Sequence, residues 1–111
     1  MAKLDNYRQY IKQILKAYSQ YSKSDSQVEA QTIFDNENDH YQLVYVGWKD
    51  QRRVYGCVLH LDIKNEKIWI QHNGTEANIA DELIALGVPK QDIVLGFHSP
   101  YKRQFTDFAV S

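Results

Sequence analysis

The stretch Val54–His72, VYGCVLHLDIKNEKIWIQH, decides the fold. Between Val54 and Ile63 its residues alternate, so that Tyr55, Cys57, Leu59, Leu61 and Ile63 share one face of a strand. Gly56, His60 and Asp62 share the other face. Lys64-Asn65-Glu66-Lys67 is a short polar hairpin connection, and Ile68 to His72 returns as the next strand. Strands joined this closely run antiparallel, because a parallel crossover needs a dozen or more residues.

Working outward, Tyr41–Trp48 (YQLVYVGW) reads as a strand with apolar residues on both faces, separated from Val54 by the polar reversal Asp50-Gln51-Arg52-Arg53. Residues 28–34 form a first short strand, followed by the turn-rich acidic break Asp35-Asn36-Glu37-Asn38-Asp39. Residues 3–21 are an amphipathic helix, with Leu4, Tyr7, Ile11, Ile14, Leu15 and Tyr18 on one stripe at steps of three and four. Ser22 to Ser26 has no periodicity and is the expected loop. Downstream, Asn73-Gly74 is a turn and Thr75 a good N-cap, with Glu76 in the first turn of a second helix. Ile79, Ala80, Leu83 and Ile84 are its apolar stripe, Gly87 its left-handed terminator, and Pro89 its stop. Ile93 to Gly96 is a short last strand, and the tail carries Phe97, Tyr101, Phe105 and Phe108, so it should pack.

The expected architecture is α+β: an N-terminal helix, an antiparallel β-meander of about four to five strands, a second helix packed on the sheet, a short last strand and an aromatic tail. A length of 111 residues suits one domain, residues 1–111, and 43% apolar with 24% charged residues is a globular balance. The two-sided apolar strand Tyr41–Trp48 implies that its second face is covered by the tail or by a second copy, so a homodimer is expected. Cys57 is the only cysteine, which excludes an internal disulfide and a cysteine zinc cage. The charged start Met-Ala-Lys-Leu-Asp lacks the apolar run of a secretion signal, and no apolar stretch is long enough for a membrane span. A cytoplasmic location is the simplest expectation.

Charge is unevenly spread within a net −1. Residues 1–24 hold five bases against one acid, and residues 25–111 hold eight bases against thirteen acids. Arg8, Lys12 and Lys16 follow at steps of four and could touch nucleic-acid phosphates, although a solvated helix face explains them more simply. Tyr101-Lys102-Arg103-Gln104-Phe105 places two bases between aromatics. That suits an interface as well as it suits a tail with its rings inward and its charges in water. His72-Asn73-Gly74-Thr75 before a helix is a candidate anion-binding turn, without the glycines of a nucleotide loop.

Catalytic signatures are weak. His40, His60, His72 and His98 lack zinc-ligand spacing and read as hydrogen-bonded structural histidines, although His60 and His72 lie on neighbouring strands. Asp62-Ile63-Lys64 faintly resembles a metal-dependent nuclease element, and it would need Asp50 or Glu66 to converge on it. Cys57, on the apolar side of its strand, reads as core filler. The expectation is no enzyme, no metal and no cofactor.

The run VYGCVLHLDIKNEKIWIQHNGTE from Val54, with IADEL from Ile79 and LGVPKQDIVLGFHSPYKRQFTDFAV from Leu86, closely resembles the XisI family, the fdxN element excision controlling factors of cyanobacteria. QTIFDNENDHYQLVYVGW and the N-terminal helix fit as well, so the resemblance spans nearly the whole chain. It implies a non-enzymatic controlling factor for programmed DNA excision during heterocyst differentiation. A separate recombinase cuts and joins, and the factor acts alongside an XisH-like protein that itself resembles nucleases. No catalytic residues are carried over. Two alternatives remain open: a direct DNA-binding accessory factor using the basic helix, and a control or inhibitory partner of a nuclease-like toxin.

Overall fold

The structure, a computed structural model, describes residues 2–20 and 27–111. The expected loop Ser22–Ser26 lies outside the described residues. The chain begins with helix α1 (Ala2–Ser19) and continues into four antiparallel strands: β1 (Val28–Asp35), β2 (His40–Lys49), β3 (Arg52–Lys64) and β4 (Lys67–Asn73). Helix α2 (Ile79–Leu86) and a 3-10 turn at Lys90–Asp92 lead to β5 (Ile93–Leu95), and the short helix α3 (Pro100–Arg103) opens the tail. The strands lie in sequence order across one five-stranded sheet. β5 departs from the meander by pairing parallel to β4, as the intervening helix allows. The α+β expectation thus holds, with a mixed rather than purely antiparallel sheet.

Both helices lie on one face of the sheet. Tyr7, Ile11, Ile14 and Leu15 of α1 and Ile79, Ala80 and Leu83 of α2 are buried against Tyr41, Leu43, Leu59, Leu61, Ile63, Ile68 and Ile70. Each fully buried Leu or Ile contributes roughly 2 kcal/mol of transfer free energy, so this layer carries the stability of the fold. α2 ends as its sequence dictates. Gly87 adopts φ 114°, its N–H bonds Ile84 O, and the N–H of Val88 bonds Leu83 O.

Two expectations need correction. The N-cap of α2 is Asn78, whose side chain accepts from the N–H of Asp81, rather than Thr75. Thr75 instead closes a local turn with Asn73, so the helix starts about a turn later than its best-looking cap. Secondly, the alternation of β3 is broken. Leu43 pairs with Leu59 but Val44 pairs with Cys57, so Val58 is an extra residue and a β-bulge. A one-residue slip exchanges faces. Leu59, Leu61 and Ile63 point into the core, while Tyr55 and Cys57 point outward. Cys57 is therefore exposed rather than core filler.

The outer face is covered at one end. There the tail runs beside β5, with a parallel bridge from Val94 to Ala109 and a bond from Ala109 N–H to Ile93 O. Trp69, Val94 and Ala109 form a second small buried cluster. No helix among the described residues is long and apolar enough to cross a membrane.

Candidate interaction surface

The basic helix α1 meets the acidic body of its own chain. Arg8 makes a forked contact with Asp39, Nε to Oδ1 at 2.8 Å and Nη2 to Oδ2 at 3.2 Å, and a third bond to Asp5 at 3.0 Å. Asp39 also accepts from the Tyr41 hydroxyl at 2.9 Å. The Arg8 hydrogen bond holds the Asp39 carboxyl below its ordinary value, and Asp39 raises Arg8 in turn. Lys3 pairs with Asp92 at 3.0 Å, Tyr7 donates to the same carboxylate, and Tyr18 donates to Glu82. Burial alone would raise Asp92, but the bonds from Tyr7 and Lys3 outweigh it and leave this carboxyl low. Half-buried Lys12 and exposed Lys16 place their ammonium groups 5.9 Å from the ring centroid of Phe34. Two of the helix bases, Lys3 and Arg8, are thus paired with carboxylates of the chain's own body.

The C-terminal segment is arranged the opposite way. Arg103 turns inward: its Nε donates to His98 O at 3.0 Å, its Nη1 to Val110 O at 3.4 Å, and its guanidinium lies 5.0 Å from the Trp69 ring. Ser99 caps α3 by accepting from the N–H of Lys102, and Lys102 faces solvent. The rings are left outside. Tyr101 is 69% and Phe105 73% exposed, edge to face with centroids 5.3 Å apart. Phe97, half exposed, leans on His98. Of the tail aromatics expected to pack, Phe108 lies against the core, whereas Phe97, Tyr101 and Phe105 do not. The hydrogen-bonding needs of Arg103 explain the inversion: two backbone carbonyls and an aromatic face hold it, and the helical turn that carries it then aims Tyr101 and Phe105 away.

In the turn after β4, the Gly74 N–H bonds Val58 O, the Thr75 N–H bonds Asn73 Oδ1, and the Ala77 N–H bonds Thr75 Oγ1. The Gly74 donor is thus taken by β3, and the Thr75 and Ala77 donors close the turn itself. Asp50 occupies the hairpin turn at the end of β3 far from Asp62, and neither it nor Glu66 belongs to the group of possible metal ligands around Asp62. Lys64 lies over the Trp69 ring at 4.6 Å. The nuclease-like constellation does not assemble. The Cys57 side chain reaches solvent, yet the strands around it desolvate the thiol and push its pKa up, the reverse of an activated nucleophile.

The family model described as "XisI protein" matches residues 1–110. The chain belongs to the XisI family. A XisI-like protein from Anabaena variabilis is 49% identical, with a TM-score of 0.92, covering 97% of this chain and 99% of its own. The fdxN element excision controlling factor XisI from the same organism is 41% identical, with a TM-score of 0.83 and coverage of 98% and 99%. No curated protein matches the chain.

In this XisI chain the outer face also holds groups that sequence reading did not bring together. His40 pairs in register with Asp62, and His60 lies two residues before it on β3. Both imidazoles bond Asp62 Oδ1 at 2.9 Å, and the hydrogen bond that His40 donates to Asp62 raises the pKa of His40. His60 and His72 are register partners, as their strands implied. Beyond this cluster the outer face is bare: Ile33, Trp48 and Tyr55 are exposed, with Arg53 stacked 5.4 Å from Trp48 and 5.9 Å from Tyr55. The signal that could have revealed this face is the register of the β2–β3 hairpin, which a single bulge obscures.

Proposed function

We propose that this XisI-family chain is a non-enzymatic controlling factor for excision of a DNA element, working through contact with an XisH-like protein. One observation carries the reading: Tyr101 and Phe105 stand in solvent on a segment whose arginine is locked inward. Exposed aromatics on a rigid turn are suited to anchor a protein partner, because they bury large area at small loss of side-chain freedom. The relative whose name describes an excision controlling factor supports the role, and the resemblance supplies the XisH-like partner. A direct DNA contact through α1 is less favoured, because Arg8 is held by Asp39 and Asp5.

The test is co-expression with the XisH-like protein encoded nearest to this chain, read by size-exclusion mass. A stoichiometric complex is expected, weakened on the order of tenfold or more by Tyr101→Ser with Phe105→Ser. No complex, together with salt-sensitive retardation of duplex DNA that Lys12→Ala and Lys16→Ala abolish, would reverse the reading. The bare end of the outer face around Trp48 and Tyr55 supports a homodimer formed through that face. A mass that stays monomeric at all concentrations rules the dimer out.

A further inference from the structure

We propose that His40, His60 and Asp62 form a binding site for a divalent transition-metal ion of the zinc class. One ligand atom from each residue lies within 4.8 Å of the other two. Asp62 Oδ1 is already 2.9 Å from His40 Nδ1 and 2.9 Å from His60 Nε2. An ion bound at the usual roughly 2.1 Å from each donor needs those donors only roughly 3.3 Å apart. Small rotations of the three side chains therefore make room for it, with no movement of the strands. The ion replaces the protons that the imidazoles now share with the carboxylate.

The scaffold favours this. His40 and Asp62 are directly opposed across β2 and β3, and His60 projects from the same face as Asp62 two residues earlier. Three ligands on two hydrogen-bonded strands are held more firmly than ligands on loops. The surrounding polar groups are placed as metal sites require. Gln71 Nε2 donates to Asp62 Oδ2 at 3.1 Å, which leaves Oδ1 directed at the two histidines. Gln42 Nε2 lies 3.5 Å from His60 Nδ1, and turning this amide over brings its oxygen there to accept the N–H of a ring that ligates through Nε2.

Donor chemistry selects the ion. Two imidazoles and one carboxylate suit Zn²⁺, Co²⁺, Ni²⁺ or Cu²⁺, whereas Mg²⁺ and Ca²⁺ want oxygen ligands. The Asp62 side chain is 13% exposed and that of His40 56%, so the site opens outward on the His40 side, where water completes the coordination.

The full chain, stripped by a chelator, is titrated with Co²⁺ and Zn²⁺ while visible absorption, heat and histidine proton resonances are followed. One equivalent per chain is expected, with Zn²⁺ displacing Co²⁺ and with the largest Zn²⁺-induced shifts at His40 and His60. His60→Ala and Asp62→Asn should abolish binding, and Gln71→Ala should weaken it roughly tenfold or more. The resonance shifts need no variant, so they decide the matter even if a substitution unfolds the chain. No saturable uptake, or shifts at His72 or His98 in place of His40 and His60, would overturn the site and leave a plain His–Asp–His hydrogen-bond cluster.

Discussion

On the inner face of the sheet Leu43, Leu59, Leu61 and Ile70 are sealed beneath α1 and α2, whereas on the outer face Ile33, Trp48 and Tyr55 cross the same strands in contact with solvent. Inner-face residues meet neighbours on every side, so their identity governs stability. Outer-face residues divide into three zones: a closed end at Trp69, a polar centre at His40, His60 and Asp62, and a bare aromatic end. A sheet that leaves two of three zones open keeps its contact chemistry apart from its folding core.

Truncations on the two faces break or uphold that contrast, and they carry the largest expected effect. Leu61→Ala, at a fully buried inner position, should cost about 3 kcal/mol in denaturant unfolding. Trp69→Ala should cost a similar amount, about 3 kcal/mol, because its cluster with Val94 and Ala109 makes it the outer-face residue that behaves as core. Tyr55→Ala, 76% exposed, should change stability by less than about 0.5 kcal/mol. A loss at Tyr55 comparable with that at Leu61, growing with protein concentration, would mean that a second copy covers the bare end in solution.

The rim joining the two faces predicts an acid dependence. Asp39 is held below the ordinary carboxyl value, with the Arg8 hydrogen bond as the leading cause. A depressed carboxyl contributes stability that is complete above its unfolded value near about 3.9 and is lost as pH falls through the folded value. The thermal midpoint of the native chain should therefore drop steeply below roughly pH 4. Asp39→Asn should melt lower at neutral pH and lose less on acidification, so the two curves converge. Parallel curves would place the acid sensitivity elsewhere, with Asp92 the next carboxylate to examine.

The sequence carries the inner face far better than the outer. A 3.6-residue stripe in α1 and the Gly87–Pro89 terminator follow from local rules, and both stand in the structure. The bulge at Val58 does not, because Tyr55-Cys57-Leu59-Leu61-Ile63 alternates without a break and the extra residue is defined only by its partner strand. Everything beyond the bulge changes face, which is why Cys57 reads as core and is exposed. The metal-ligand cluster was hidden for a related reason. His60 shares a strand face with Asp62 in the sequence itself, but only the hairpin register brings His40 beside them. Thr75 satisfied every local criterion for a cap, but Asn73 captures its hydroxyl and N–H first. At Arg103, two adjacent bases sit between aromatics with no periodicity to say which side chains turn inward.

The smallest effect sharpens the comparison by acting on both faces at once. Asn65 and Glu66 connect β3 to β4 with φ of 55° and 63°, a two-residue left-handed hairpin turn. Asn tolerates that conformation, whereas Glu is strained there by roughly 1 kcal/mol. Glycine removes the strain but adds freedom to the unfolded chain. Glu66→Gly should therefore stabilise the protein by a net of about 0.5 kcal/mol, measured by denaturant midpoint. The turn belongs to neither face, so partner binding and cobalt uptake should be unchanged. Destabilisation instead would show that the freedom glycine adds to the unfolded chain outweighs the strain it relieves at Glu66.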